Sequence, residues 1–300
     1  MDNARGVPAA AGPPVPPGQV IAAATAALAG AGVGTPRVDA ELLAAHVLGV
    51  PRGALAGAAG FDPAARQRYE RLVRARVDRV PLQHLTGATG FRYLELAVGP
   101  GVFIPRPETE VLLDWALARP AGPGELVLDL CAGSGAIALA YAQERPGARV
   151  IAVERSGAAL DWLRRNAAAR VAAGDPAVRV RAGDLTDPAV TADLRGQVDV
   201  LLCNPPYVPL GTPVPPEVSR YDPAEAVFAG PDGLAVIRPV LGLAADLLRP
   251  GGVLAIEHDD THGATVPALL RAAGAFVAVC DHRDLNGRPR FATATRAART

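Results

Sequence analysis

The order of apolar and polar positions divides the chain into segments of different texture. Residues 1–16 hold Pro and Gly too densely for helix or strand and read as a disordered tail. From 17 to 86 the spacing is helical. Gln19–Leu28 is Ala-rich, and Val38–Leu48 sets Leu42, Leu43, His46 and Val47 near one face. Ala64–Val80 carries Tyr69, Leu72, Val73 and Val77 as an apolar stripe among arginines. Asp62 stands where an N-cap belongs, with Pro63 just inside the helix. A small helical domain over 17–86 is the expectation.

Residues 87–107 change character. Phe91, Tyr93, Leu94, Leu96 and Val98 are punctuated by Gly87, Gly90, Gly99 and Gly101, which predicts a β-hairpin linker. From 108 to 300 short apolar runs alternate with helical segments. The runs are Glu125–Leu130, Arg149–Val153, Val178–Arg181, Val198–Cys203, Val253–Glu257, Phe276–Cys280 and Phe291–Thr295. Gly135–Glu144, Gly233–Leu248 and Thr265–Ala273 are helical. Buried strands between helices predict an α/β, doubly wound sheet with ligands at the carboxyl ends of its strands.

Composition narrows the picture. Of 300 residues half are hydrophobic, but only 4% are aromatic, so Ala, Val and Leu must fill the core. Thirty basic residues, all arginine, balance thirty acidic ones. A neutral chain lacks the global positive field of proteins that grip long nucleic acid, so no stable nucleic-acid binding is expected. Cys131, Cys203 and Cys280 show neither metal spacing nor a paired framework, which suits a reducing cytoplasm. No signal-peptide core and no membrane-spanning stretch is visible. A cytoplasmic monomer without membrane contact is the expectation.

Two stretches carry chemistry. In the first, the strand Val127–Leu130 with Asp129 runs into Cys131-Ala132-Gly133-Ser134-Gly135 and then a helix. Such a turn brings backbone close to a ligand and offers free N–H groups at the helix start. Glu154 ends the next strand, where a carboxylate can accept from both ribose hydroxyls, and Asp184 follows the third, within reach of an adenine edge. Together they indicate a nucleoside-containing cofactor. A nicotinamide remains a rival, because Ala138 can stand at the third glycine position.

The second stretch is Asn204-Pro205-Pro206-Tyr207 at the end of the fourth strand. A planar amide or aryl amine nitrogen is a poor nucleophile because its lone pair is delocalised. Asn204 Oδ1 and the Pro205 carbonyl can accept both of its hydrogens, favour pyramidalisation and aim the lone pair at a sulfonium methyl. The prolines stiffen the loop, and Tyr207 offers a flat face.

Ile104-Pro105-Arg106-Pro107-Glu108-Thr109-Glu110 reads as a linker or a substrate-facing lip, with Thr109 or Glu108 able to cap the next helix. Phe103 stands as a stacking or a core residue. His258 and His262 do not form a zinc motif, and no metal is expected. The arginines 66, 68, 71, 74, 76 and 79 read as a solvated helix face.

These motifs, with Pro81–Gly87 and Gly230-Pro231-Asp232-Gly233-Leu234, resemble the HemK/PrmC family of peptide chain release factor glutamine methyltransferases over about Gln19–Thr295. The resemblance implies a Rossmann-like, seven-stranded S-adenosylmethionine-dependent methyltransferase domain behind a helical substrate-docking domain. It implies N5 methylation of the glutamine in the Gly-Gly-Gln loop of class 1 peptide chain release factors, with S-adenosyl-L-homocysteine as product. Cys131, Ala132, Gly133, Ser134, Gly135 and Glu154 would hold the cofactor, with Asp129, Asp184, Leu185 and Asn204 beside it. Asn204, Pro205, Pro206 and Tyr207 would hold the amide, with Phe103 near the substrate. Cys131 departs from the glycine common at its position, and Glu154 from an aspartate. Rival readings are a ribosomal-protein glutamine methyltransferase, an adenine-N6 DNA methyltransferase, and a non-catalytic module that docks release factors.

Overall fold

The computed structural model describes residues 14–298, which divide into two compact units between Gly87 and Ala88. The first unit is helical: α1 Pro17–Gly30, α2 Pro36–Leu48, α3 Pro63–Val77 and α4 Leu82–Thr86. Its core gathers Leu28, Leu43, Phe61 and Tyr69, with the Tyr69 hydroxyl donating to the Ala40 carbonyl at 3.0 Å. Asp62 caps α3, its Oδ1 accepting from Ala65 N–H at 2.6 Å, with Pro63 at the first helical position.

Two expectations change here. Residues 1–13 of the expected tail lie outside the described residues, but Val15 exchanges two backbone hydrogen bonds with Phe61, so order begins before α1. The arginine face of α3 is not uniformly solvated. Arg76 is buried and donates to Asp39 Oδ2 at 2.8 Å, while Arg79 donates to the Ala31 and Gly32 carbonyls at the end of α1. The physical reason is the same for both: each guanidinium finds acceptors that water would otherwise have to supply.

The second unit opens with a hairpin of β1 Ala88–Phe91 and β2 Leu94–Ala97. Arg92 takes the left-handed conformation its two-residue turn requires (φ 52°), and its guanidinium pairs with Glu144 and Asp114. Phe91, Leu94 and Leu96 are buried in the second unit's core, so the expected linker is part of that core. After α5 Glu108–Ala118 come β3 Leu126–Leu130, α6 Ala136–Glu144, β4 Arg149–Glu154, α7 Gly157–Ala172, β5 Arg179–Ala182 and α8 Pro188–Thr191. Then follow β6 Val198–Cys203, α9 Pro216–Tyr221, α10 Ala224–Val227, α11 Ile237–Leu247, β7 Leu248–Glu257, α12 Thr265–Ala272, β8 Phe276–Arg283 and β9 Pro289–Arg296.

The sheet runs β5-β4-β3-β6-β7-β9-β8, parallel except for β9, which is antiparallel to both neighbours. Alternate residues of its central strands enter different cores. Val127, Ala152 and Val200 pack against α5, α6 and α7, while Leu128, Ile151 and Leu201 pack against α11 and α12. Burial on both faces explains why these strands read as continuous apolar runs. Strand order reverses between β3 and β6, which opens a crevice at their carboxyl ends. Among the described residues no helix is long and apolar enough to cross a membrane.

Candidate active site

A cavity of about 370 Å³ occupies that crevice. Its first wall is the turn after β3. Cys131, Gly133 and Gly135 all adopt positive φ, at 61°, 55° and 91°. Only glycine does so without strain, so Cys131 carries a cost on the order of 1 kcal/mol that the surrounding packing must sustain. At Gly135 the requirement is also steric: a Cβ would lie 2.5 Å from Leu163 Cδ1 on α7. Asn166, also on α7, holds this region in place. Its amide donates to the Ser134 and Ala97 carbonyls and accepts from Ala97 N–H, which ties the turn to the hairpin.

Cys131, Ala132, Gly133 and Ser134 line the cavity, as do Glu154, Asp184 and Leu185. Glu154 accepts three backbone bonds of 2.8 Å, from Gly133, Arg155 and Ser156, and so clamps the ends of β3 and β4 together. Asp184 accepts from the Thr186 backbone and hydroxyl and pairs with Arg155 at 3.2 Å. These bonds hold its carboxyl below its ordinary range.

Asp129 and Gly135, expected among the cofactor contacts, do not reach the cavity wall. Gly135 is set back against Leu163 and Leu139. Asp129 is fully buried beneath the turn, where Oδ2 accepts from Ala138 N–H at 3.1 Å in the first turn of α6. Its other oxygen has no partner among the described residues, and burial pushes its carboxyl well above the usual range. A carboxyl raised on folding binds more protons in the native than in the unfolded state, so its contribution erodes stability as pH climbs past the unfolded value. Asp129→Asn is therefore expected to raise the melting temperature at pH 8. The gain should shrink as pH falls toward the ordinary aspartate range, which thermal unfolding across pH would read.

The second wall comes from the end of β6. Asn204, Pro205, Pro206 and Tyr207 all line the cavity, as do Phe103, Pro105 and Thr109. The segment at 104–110 is thus wall and lip rather than spacer. Its Arg106 guanidinium sits 4.8 Å from the centre of the Phe103 ring and pairs with Asp222 at 2.6 Å. Phe103 is therefore a cavity residue rather than a core one.

Neither Glu108 nor Thr109 caps α5. Thr109 is buried at 3% exposure, and its Oγ1 accepts from Asn204 Nδ2 at 3.0 Å. Glu110 accepts from Arg92 N–H at 3.0 Å instead. The Tyr207 hydroxyl donates to Glu257 Oε1 at 2.8 Å, and burial beside that carboxylate pushes the phenol well up. Behind the loop, Gly233 (φ 72°) lies so close that a Cβ would stand 2.2 Å from the Tyr207 carbonyl oxygen. The Gly230–Leu234 segment thereby acts as a backstop for the tetrapeptide.

Comparison with known proteins finds a match in each of the two units. Residues 19–87 match the PrmC N-terminal domain, and 99–212 match the methyltransferase small domain. The release factor glutamine methyltransferase of Mycolicibacterium smegmatis is 55% identical over 280 residues, covering 93% of this chain and 98% of its own. The chain belongs to the release factor glutamine methyltransferase family. A 4-amino-L-phenylalanine/4-methylamino-L-phenylalanine methyltransferase of Streptomyces pristinaespiralis is 41% identical over 266 residues, covering 85% of this chain and 87% of its own. Among solved structures, the T. thermophilus 16S rRNA N2 G1207 methyltransferase in complex with AdoMet and guanosine aligns with a TM-score of 0.50 at 26% identity. That alignment covers 70% of this chain and 49% of the other.

In this methyltransferase the small-domain match runs from the lip through the turn after β3 to the loop beyond β6. Motif reading missed Thr109 as a partner of Asn204, Asn166 as the tie behind the turn, and Glu257 beneath Tyr207. A usable signal existed for Glu257: a carboxylate ending the apolar run Leu254-Ala255-Ile256 needs a buried partner.

Proposed function

We propose that this methyltransferase transfers a methyl group from S-adenosylmethionine to N5 of the glutamine side chain in the Gly-Gly-Gln loop of class 1 release factors. The reading places it in the cytoplasm, in translation termination, with the release factor as its protein partner. One observation carries it. The Asn204 amide is anchored through its nitrogen on Thr109, leaving Oδ1 as the acceptor it can offer to the cavity.

The walls suit the cofactor. Glu154 presents a carboxylate between two strand ends, and Gly133 has nothing within 4 Å of where a Cβ would stand, so backbone and ligand can approach. Ala132, Gly133, Ser134 and Leu185 would form its bed. When bound, S-adenosylmethionine supplies an electrophilic methyl on sulfur and leaves as the neutral thioether S-adenosylhomocysteine.

The chain's own residues then act on the acceptor. Asn204 Oδ1 and the Pro205 carbonyl take the two amide hydrogens, which weakens conjugation and frees the nitrogen lone pair. Tyr207 and Phe103 bracket the planar group. The alkylated nitrogen is acidic enough to lose its proton to water.

The aryl-amine relative supports a second reading, a small acceptor bearing a planar amino group, since the same two hydrogens would meet the same two oxygens. The match of residues 19–87 to the PrmC N-terminal domain favours the release-factor reading.

Incubation with tritiated S-adenosylmethionine separates the two. Label is expected on a class 1 release factor and absent when its loop glutamine is alanine. Label on free 4-amino-L-phenylalanine alone would establish the second reading, and label on duplex DNA alone would overturn both.

A further inference from the structure

In the lip, Val102 and Ile104 are buried, while Phe103 between them is half-buried and lines the cavity. Pro105 and Pro107 have fixed φ and confine the residues before them to extended backbone, so the lip is stiff along its main chain. The Phe103 ring is not thereby fixed, since it still turns about its own side-chain bonds. The Arg106 guanidinium lies over that ring, its carbon 4.8 Å from the ring centre. Phe103 and Pro105 line the cavity and Arg106 does not, so the guanidinium touches the ring without taking the acceptor's place.

The guanidinium is held from 116 positions away. Its Nη2 donates to Asp222 Oδ2 at 2.6 Å, and the Asp222 side chain is 1% exposed against 32% for Arg106. Asp222 Oδ1 has no hydrogen-bond partner among the described residues. Burial raises this carboxyl above the ordinary aspartate range, and Arg106 opposes the rise. The bond does not depend on the outcome, because a guanidinium donates to a carboxyl oxygen whether or not the group is ionised. Asp222 ends α9, and Pro223, Glu225 and Ala226 just beyond it line the cavity. The pair thus joins the lip to a second stretch of cavity wall. A planar guanidinium suits both contacts, since its edge donates while its face stacks.

We propose that Arg106 is a positioning residue for the acceptor: held by Asp222, it fixes the Phe103 ring at the cavity wall and so sets where the acceptor's planar group lies. The proposal rests on the methyl-transfer reading of the site.

With wild type labelling a class 1 release factor as control, Arg106→Gln is expected to raise KM for that acceptor by about 5- to 30-fold, the scale of a lost cation–ring contact. The value of kcat should stay within about threefold, because a ring that brackets the group grips it alike before and during transfer. The calorimetric cofactor Kd should hold within about twofold, since the turn after β3 and Glu154 are untouched. The variant also leaves a buried carboxyl without its partner, so the melting temperature should fall by several degrees.

Two further variants separate positioning from mere support. Arg106→Gln/Asp222→Asn puts two amides that can bond to each other in place of the pair, so the melting temperature should recover while KM stays high. Arg106→Gln made in a Phe103→Leu background should raise KM by less than about twofold more, as for residues acting in series. Ring-labelled phenylalanine NMR needs no turnover, and with six phenylalanines in the chain the Phe103 signal can be resolved. That signal should move in Arg106→Gln and in the double variant with Asp222→Asn. A KM that recovers together with the melting temperature, a full second loss in the Phe103→Leu background, an unmoved Phe103 signal, or an Arg106→Gln enzyme with KM within twofold of wild type would each overturn the proposal. If Arg106→Gln does not fold, the double variant with Asp222→Asn decides, by its KM and its ring signal. Absence of label with wild type would instead strike the methyl-transfer reading, and the ring signal would then decide alone whether Arg106 fixes Phe103.

Discussion

Asn204→Ala is expected to slow methyl transfer by about 10²–10³-fold, the loss typical of removing one preorganised polar contact to a reacting group. The substitution deletes both ends of an amide whose nitrogen is anchored on Thr109 and whose oxygen is the atom offered to the acceptor. The loss should fall on kcat more than on KM, because pyramidalisation of the acceptor nitrogen develops only toward the transition state. Cofactor affinity should hold within about tenfold, since the turn after β3 and the Glu154 clamp stay intact. Steady-state kinetics with a release factor, together with calorimetric cofactor binding, checks both. A binding-only protein would keep its cellular role in this variant, so complementation would expose that case.

The other large effect lies in the first unit and concerns stability alone. Asp39 and Arg76 form an ion pair of 2.8 Å, with side chains only 6% and 8% exposed. Thr35 donates to the second Asp39 oxygen at 2.8 Å, and Arg76 also donates to the Val80 carbonyl. Asp39→Ala breaks a buried ion pair of the Arg76 guanidinium, at a cost of about 3–5 kcal/mol. A helical unit of this size has little more than that in reserve. Limited proteolysis and denaturant unfolding should find α1 to α3 opened while the second unit still binds cofactor. The exposed i,i+4 pairs Arg37–Glu41 and Arg66–Glu70 form the contrast: their removal should cost no more than about 0.5 kcal/mol.

The sheet was legible because its strands are buried on both faces. Val198–Cys203 matches its apolar run end to end, and Arg149–Glu154 extends the run by one residue. The first residues of β7 were not visible, because Arg249, Pro250, Gly251 and Gly252 interrupt the apolar pattern before the strand proper. The short helices α9 and α10 were missed as well, being too brief and proline-flanked for a helical period to show. In the site, the turn after β3 and the tetrapeptide were readable because local backbone chemistry demands their residue types.

What escaped were side chains whose meaning depends on distant partners. Thr109 looks like a cap and is a partner of Asn204, 95 positions away. Asp129 looks like a ligand contact and instead supports α6 from below. Arg76 looks like one more solvated arginine, and Asp39, 37 positions back, draws it inside. No period in the sequence encodes such pairings. They follow from strand order and helix packing.

The place of β9 has a consequence for how the chain is made. It follows β8 in sequence yet lies between β7 and β8, pairing with both. During synthesis the first unit can fold early, but the open edge of β7 waits until residues 289–296 have left the ribosome. Until then Leu254 and Ile256 belong to an unclosed core, and β8 has no strand to join. The chain thus passes through a stage in which its own sheet is unfinished and prone to pair with a neighbouring nascent chain. Shielding of that edge by chaperones, more than the speed of any helix, should set its yield.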